Sequence, residues 1–172
     1  MITLTGFPKN KDKYLRLALF AREILDICND LGITPVLDGS LAVFAYTRDQ
    51  DMDVNDIDLS CPEAEFPKII NALQARGISY KLREWRVLQI SKDDLKIELG
   101  SREYWLKDLP MDLETLQLDG CIIHALSLNS LKEFYRRGMA DRAAMNTDND
   151  RTKYERLKAK YEALAKLERK PT

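Results

Sequence analysis

Histidine and cysteine are scarce in this chain, and their scarcity excludes two classes of site. The 172 residues include one histidine, His124, which cannot build a histidine-rich zinc site. The three cysteines are an odd number without metal-type spacing, so we expect reduced thiols instead of a disulfide framework. This use of cysteine predicts a cytoplasmic protein.

Long apolar runs and an excess of one charge are also lacking. No stretch approaches the ~20 apolar residues of a membrane span, and the first residues lack the features of a signal peptide, so no membrane partner is expected. The net charge of −1 does not indicate nucleic acid as a partner. Hydrophobic residues make up 45% and charged residues 32%, which at this length predicts one globular domain.

Acidic residues do occur in a pattern that points to chemistry. Asp56 and Asp58 alternate with Ile57 and Leu59, as expected for a strand with one apolar face. The two carboxylates then point the same way, with Cα atoms roughly 6.6 Å apart. At that spacing they can share a divalent cation, and without one they repel each other. Taken alone, this acidic segment equally fits a solvated loop.

A third carboxylate follows the same rule. In residues 95–99, Lys96 and Glu98 alternate with apolar residues, so both lie on the polar face of a second strand. If the two strands are neighbours, we expect Asp56, Asp58 and Glu98 to face one open cleft. Such a cluster suits one or two Mg²⁺ ions. Asp38-Gly39, before Ser40, fits either a hairpin turn or a rim of this cleft where backbone N–H groups approach phosphate.

Together, residues 36–42 (Val-Leu-Asp-Gly-Ser-Leu-Ala), 55–59 (Asn-Asp-Ile-Asp-Leu) and 96–99 (Lys-Ile-Glu-Leu) resemble the nucleotidyltransferase superfamily. That superfamily includes DNA polymerase beta and the aminoglycoside and lincosamide nucleotidyltransferases. The resemblance covers roughly residues 33–100. It implies an α/β (α+β) fold, with a mixed twisted sheet flanked by helices and a short helical C-terminal part.

The same resemblance implies roles for individual residues. Gly39 and Ser40 would bind the triphosphate, while Asp56, Asp58 and Glu98 would be catalytic and hold Mg²⁺ or Mn²⁺. Glu98 stands where the superfamily commonly has aspartate.

Basic residues supply further candidates for nucleotide binding. Arg48 would either hold its loop or contact phosphate, and Lys96 would either contact the nucleotide or pair with a carboxylate on its own face. A cluster in the late helices would grip the triphosphate through charge-assisted hydrogen bonds, with a solvated face as the alternative. Its members are Arg136, Arg137, Arg142, Arg151 and Lys153. Trp85 and Trp105 either pack or line an acceptor pocket.

Periodicity and turn residues predict the elements around these motifs. The predicted helices are 11–31, 41–46, 62–76, 127–144 (capped by Ser127) and 151–167. The predicted strands are 33–37, 56–59, 78–83, 86–91, 95–100 and a hairpin, 116–123, turning at Asp119-Gly120. We expect residues 1–126 to form the nucleotidyltransferase core, with 127–172 as a helical segment packed on it and a frayed end.

The sequence therefore predicts Mg²⁺-dependent transfer of a nucleoside monophosphate from a nucleoside triphosphate (NTP) to a hydroxyl of an unidentified acceptor. Two alternatives stay open. One is a catalytically silent nucleotide-binding or interaction module on the same fold. The other is a toxin-like nucleotidyltransferase that acts on RNA or protein. A homodimer is also left open.

Overall fold

The centre of the protein is a mixed sheet of eight strands in the spatial order β1-β7-β8-β2-β3-β6-β5-β4. The computed structural model describes residues 1–118 and 120–169. Asp119 of the predicted turn and residues 170–172 of the predicted frayed end lie outside the described residues. The strands are β1 (Ile2–Thr3), β2 (Val36–Asp38), β3 (Ile57–Cys61), β4 (Ser79–Arg83), β5 (Val87–Lys92), β6 (Leu95–Ser101), β7 (Leu113–Leu118) and β8 (Cys121–Leu126).

Helices flank this sheet, as the α/β prediction requires. They are α1 (Lys11–Asp30), α2 (Gly39–Thr47), α3 (Phe66–Ala75), α4 (Arg102–Trp105), α5 (Leu128–Met145) and α6 (Asp148–Ala165). Helix α1 buries the apolar stripe expected from its periodicity, including Leu17, Ile24 and Cys28. No described helix combines the length and the hydropathy needed to span a bilayer.

The connection from β2 to α2 differs from the prediction. The strand is shorter than 33–37 suggested, and α2 begins directly at Gly39 instead of at residue 41. Gly39 has a φ of +66°, a left-handed conformation that turns the chain at once from strand to helix. The hairpin alternative at Asp38-Gly39 is therefore wrong, and Gly39 and Ser40 are the first residues of a helix.

The strands that carry Asp58 and Glu98 are neighbours, as required for these carboxylates to lie close together. Strand β3 runs antiparallel to β2 and parallel to β6, so it lies between them. It begins at Ile57, which corrects the predicted strand 56–59: Asp56 lies at a bend just before it. Strands β4, β5 and β6 form an antiparallel meander, and β7 pairs with β8 as the predicted hairpin. Strand β1 was not predicted, because two residues show no periodicity.

Two long helices that contact each other, α5 and α6, follow the last strand. Ser127 caps α5 as predicted, its hydroxyl accepting from the Ser130 N–H. Helix α6 begins at Asp148 and not at residue 151, because the Thr147 hydroxyl caps it by accepting from the Asp150 N–H. Buried residues of α5 and α6, such as Tyr135 and Leu164, belong to the main core. The division of the chain after residue 126 stays a prediction.

Candidate active site

Three carboxylate residues lie in one row across the middle of the sheet. In β2, Asp38 is opposite Asp58 of β3, and Asp58 is in turn opposite Glu98 of β6. Residues that face each other on neighbouring strands project their side chains to the same face of a sheet. The strand pairing therefore brings Asp58 and Glu98 together, with Asp38 as a third member that the sequence analysis had not considered as a carboxylate.

The backbone at Gly39 approaches this row closely. A Cβ atom built on Gly39 would overlap with the Asp58 carboxylate and its Cβ. The positive φ of Gly39 disfavours a side chain there for a separate reason. Only glycine thus allows the first turn of α2 to lie against the Asp58 side chain.

The surroundings of Asp58 favour its neutral form. Burial raises the pKa of Asp58 well above the usual aspartate range, and the charges of Asp56, Asp38 and Glu98 raise it further. These influences show that Asp56, though outside β3, is electrostatically part of the group. Lys160 lowers the pKa of Asp58 but does not cancel the rise, so this face is a place where a cation would bind favourably.

Burial also raises the pKa values of Glu98 and Asp38. Burial and then the charge of Asp56 raise the pKa of Glu98, while Lys96 and Arg83 oppose the shift. Burial raises the pKa of Asp38 to about 6, against a hydrogen bond from the Ser60 hydroxyl, 2.5 Å away, that lowers it. Lys96 is exposed and acts on Glu98 from the same face, as its strand position predicted.

A lysine from the last helix reaches this group. The Lys160 ammonium donates to Ser40 Oγ at 2.7 Å and lies 5.6 Å from the centroid of the Tyr135 ring. Burial lowers the pKa of Lys160, and the charges of Asp58 and Asp56 counteract that shift. Sequence reasoning missed Lys160 because it is one of several lysines on a highly charged helix, with no local signal that sets it apart.

Tyr135 leaves a hydroxyl unsatisfied beside the carboxylates. Its side chain is 2% exposed, and its OH has no hydrogen-bond partner among the described residues. Burial raises its pKa well above the usual tyrosine range, and the negative charges of Asp58, Asp38 and Asp56 add to that. A buried donor without a partner is costly, which points to a ligand or water at this position.

Several of these groups border one open cleft, which we call the carboxylate cleft, whereas Asp56 and Ser40 are not among its described lining residues. It is lined by Asp38, Gly39, Asp58, Leu59, Ser60, Val87, Glu98, Gly100, Trp105, Phe134, Tyr135, Leu157 and Lys160. Its lining residues thus come from strands β2, β3, β5 and β6 and from helices α2, α4, α5 and α6.

Other predicted nucleotide contacts lie elsewhere. Arg136 and Arg137 are not among the described lining residues of the cleft; both guanidinium groups pair with Glu133. Arg137 also donates to the carbonyls of Lys107 and Asp108, which fixes the loop before β7. Arg48 is exposed and directly follows α2 as its left-handed C-cap. A role for these three arginines in nucleotide binding stays a prediction.

The donor set suits a hard divalent cation completed by substrate. Carboxylate oxygens are the ligands that Mg²⁺ prefers, and Mg²⁺ commonly binds through one or two carboxylates together with substrate phosphates. Within the described residues, no three His, Cys, Asp or Glu side chains already form a group that could hold a metal ion. Asp58 and Glu98 could supply carboxylate oxygens to a cation whose remaining ligands come from nucleotide phosphate.

Solved structures share this fold. ANT(2'')-Ia, an antibiotic-resistance factor, matches with a TM-score of 0.58 and 14% identity over 88% of this chain and 90% of that one. It has also been solved in complex with adenylyl-2''-tobramycin. The lincosamide antibiotic adenylyltransferase LnuA, with lincomycin bound, matches with a TM-score of 0.50 and 17% identity over 82% of this chain and 94% of that one. An antigenic nucleotidyltransferase-like protein from Paracoccidioides brasiliensis matches with a TM-score of 0.58 and 10% identity over 94% of this chain and 79% of that one.

At these identities the structural likeness shows the fold alone, and family membership comes from the sequence. A search of curated proteins gave no significant match. The model of the family described as aminoglycoside-2''-adenylyltransferase matches residues 21–157, which is more than half of the chain and spans β2, β3 and β6. This protein therefore belongs to the aminoglycoside-2''-adenylyltransferase family, within the nucleotidyltransferase superfamily.

Proposed function

We propose that this protein transfers a nucleoside monophosphate from an NTP to a hydroxyl group of an acceptor, with Mg²⁺ or Mn²⁺. One observation carries the proposal: Asp58 and Glu98 are directly opposite each other on β3 and β6, with the Gly39 backbone packed against Asp58. If the two carboxylates had only a structural role, they would not require a helix that begins at a left-handed glycine in contact with Asp58.

The metal would be held by Asp56, Asp58 and Glu98 together with phosphate oxygens. When bound, it would supply positive charge that neutralises the triphosphate and the mutual repulsion of the carboxylates. The raised pKa of Asp58 supports this role, because burial and the neighbouring carboxylates outweigh the charge of Lys160, and a bound cation would offset them.

The triphosphate would be bound by the start of α2 and by α6. The N–H groups at the N-terminus of a helix favour anions, and here Ser40 adds a hydroxyl. The Lys160 ammonium, already bonded to Ser40, would donate to the same phosphate oxygens. The Tyr135 OH is a further donor that has no partner among the described residues.

The transfer itself is one displacement at phosphorus. The acceptor oxygen forms a bond to the α-phosphorus, the bond from that phosphorus to the bridging oxygen breaks, and pyrophosphate leaves. Glu98 would accept the acceptor's hydroxyl proton, since burial and Asp56 raise its pKa and make it a better base than an ordinary glutamate. Most of the rate enhancement would come from positioning and charge neutralisation.

Related proteins support a hydroxyl-bearing acceptor. The structure of ANT(2'')-Ia with adenylyl-2''-tobramycin contains an adenylylated antibiotic, and LnuA was solved with lincomycin. Tobramycin and lincomycin are therefore the first acceptors to test, and ATP the first nucleotide.

Thermal unfolding with each NTP, with and without Mg²⁺, tests nucleotide binding, and release of pyrophosphate tests transfer. We expect one or more NTPs to raise the melting temperature only when Mg²⁺ or Mn²⁺ is present. Equal stabilisation without a divalent cation would contradict the metal's role. Metal-dependent binding without pyrophosphate release, across a broad panel of hydroxyl compounds, would instead favour the silent nucleotide-binding module.

A further inference from the structure

A second pocket adjoins the carboxylate cleft and has different chemistry. The two share a wall made by Trp105, Phe134 and Leu157. The second pocket, which we call the aromatic pocket, has a lining that includes Trp85, Tyr104, Trp105, Lys107, Asp141 and Arg142. Its volume of about 350 Å³ falls within the ~300–1,000 Å³ of small-molecule sites.

Three aromatic side chains of this pocket are exposed to an unusual degree. Trp85 is 59% exposed, Tyr104 41% and Trp105 37%. Their rings nevertheless contact one another, with centroids 6.5 Å apart for Trp85 and Tyr104 and 5.3 Å for Tyr104 and Trp105. Large aromatic surfaces left open to water beside a cleft are typical of ligand sites.

These rings are held in place before any ligand arrives. Trp105 Nε1 donates to the Trp85 carbonyl at 2.9 Å. Trp85 and Arg86 both have left-handed backbones, with φ of +65° and +56°, a strained arrangement that persists only where the surroundings enforce it. The Ser101 N–H donates to the Arg86 carbonyl at 2.9 Å, which ties this turn to β6.

Gly100 makes room for the central ring. A Cβ on Gly100 would lie 2.9 Å from Trp105 Cδ1, so any larger residue would push the indole away. Because Gly100 is two residues after Glu98 on the same strand, the indole stands on the same face of β6 as the carboxylate. The aromatic pocket therefore opens beside the residue that we propose as the base.

Charge restricts what this pocket accepts. Two of its basic side chains are paired, Arg137 with Glu133 and Arg142 with Asp150. An acceptor with several ammonium groups needs several carboxylates to replace its hydration, and Asp141 is the one carboxylate among the described lining residues. Lys107, the third basic side chain of the lining, would repel such an acceptor. A flat neutral or anionic ring, in contrast, gains stacking on indole and phenol faces.

We propose that the aromatic pocket binds the acceptor, and that this acceptor is a hydroxyl compound with a planar ring and no cluster of positive charges. The assignment rests on the proposed nucleotidyl transfer. It excludes a polycationic acceptor such as tobramycin for this protein, although the family is described as aminoglycoside-2''-adenylyltransferase.

Fluorescence gives a direct test, because Trp85 and Trp105 are the two tryptophans of the sequence. The probes are phenyl β-D-glucoside, methyl β-D-glucoside (the same sugar without the ring) and tobramycin. We expect phenyl glucoside to change the emission saturably, with a dissociation constant at least ten-fold lower than that of either other probe. Equal or tighter binding of tobramycin, or no preference for the ring, would overturn the proposal.

Matched variants exclude a non-specific effect. Trp85→Leu should abolish the preference for the ring, with Trp105 as the remaining reporter, whereas Phe7→Leu, at an exposed aromatic elsewhere, should preserve it. Lys107→Glu should strengthen tobramycin binding at least three-fold. Unchanged ring preference in Trp85→Leu would contradict the stacking role.

A transfer assay separates failure of this proposal from failure of the proposed function. With Mg²⁺ and the NTP that stabilises the protein, pyrophosphate release should be faster with phenyl glucoside than with tobramycin at equal concentration. The reverse order would overturn the acceptor class and leave nucleotidyl transfer intact. Absence of any Mg²⁺-dependent NTP stabilisation, measured without acceptor, would instead reject the proposed function itself.

Discussion

Lys160 and Ser40 are 120 positions apart, yet the Lys160 ammonium donates a 2.7 Å hydrogen bond to the Ser40 hydroxyl. The contact joins the last long helix to the start of α2, where we propose that the triphosphate binds. It also places a half-buried positive charge close enough to Asp58 to lower the pKa of that carboxyl. Helix α6 thus contributes to the candidate site as well as to packing.

Replacing this lysine should weaken nucleotide binding. A hydrogen bond to a charged group contributes about 1.5–3 kcal/mol, so Lys160→Met should raise the dissociation constant for Mg²⁺-NTP about ten-fold or more. Lys158→Met, two residues away on the same helix, is the matched control and should bind NTP like the wild type. Calorimetric titration measures both, and equal affinities for the two variants would rule out the phosphate contact.

In contrast, replacing Arg136, which the sequence predicted to contact the nucleotide, should have little effect on nucleotide binding. Arg136 is exposed, and its guanidinium bonds Glu133 at 2.6 and 2.7 Å outside the described lining of the cleft. Arg136→Met should therefore change NTP affinity by less than about two-fold, because the ion pair is exposed to solvent and Arg136 is not among the described lining residues of the cleft. A loss as large as that of Lys160→Met, in the same titration, would support the prediction from sequence instead.

The sequence could predict features set by residues close together in the chain, but not those set by contacts between distant segments. Alternation of apolar and polar residues is a local signal, and it placed Asp58 and Glu98 correctly on polar strand faces. It could not show that Asp38 continues the row, because that needs the pairing of β2 with β3. Nor could it distinguish Lys160 from its neighbours, because hydrogen bonding to Ser40 depends on how α6 packs.

The Asp58 carboxylate should be dispensable for folding and required for the metal response. Its pKa is raised by burial and by like charges, so Asp58→Asn should leave the apo protein as stable or slightly more stable. In the wild type, Mg²⁺-NTP at 100 times its dissociation constant should add about 2.7 kcal/mol. That stabilisation corresponds to roughly 5–10 °C in melting temperature, and Asp58→Asn should lose most of it.

Thermal melts with and without Mg²⁺-NTP check this expectation. Asp53→Asn, an exposed change in the same acidic segment, should keep the full ligand-induced shift. An Asp58→Asn protein that melts lower without ligand, and still responds to Mg²⁺-NTP, would show that Asp58 has a structural role.

Asp38 should make stability depend on pH in a defined direction. Burial raises its pKa to about 6, opposed by the Ser60 hydrogen bond, whereas an unfolded aspartate titrates near ~3.9. The folded state therefore binds this proton more tightly, so the contribution to stability grows as pH falls from about 6 to about 4 and is lost as pH rises through about 6. At about 1.36 kcal/mol per pKa unit, the effect is roughly 2–3 kcal/mol.

Urea unfolding of the wild type and Asp38→Asn between pH 4 and pH 7 isolates this contribution. The asparagine variant cannot take up the proton, so the wild type should gain stability relative to it on acidification. Asp58 and Glu98 have pKa values raised in the same direction, and they remain in both proteins. Parallel stability curves for the two proteins would show that Asp38 does not titrate in this range.

Two glycines with nearly the same φ allow the cost of a left-handed residue to be measured separately from the cost of close approach at the cleft. Gly32 has a φ of +71° and nothing within 4 Å of an added Cβ, while Gly39 has a φ of +66° and would overlap with Asp58. Gly32→Ala should cost about 1–2 kcal/mol, the usual penalty for a left-handed backbone. Gly39→Ala should cost clearly more, because either α2 or the Asp58 side chain must also move. Gly39→Ala should also weaken the stabilisation by Mg²⁺-NTP, whereas Gly32→Ala should keep it.

Urea unfolding and NTP titration of both variants measure the two effects. Equal losses of stability, with nucleotide binding intact in Gly39→Ala, would show that the contact between α2 and Asp58 has no part in the site.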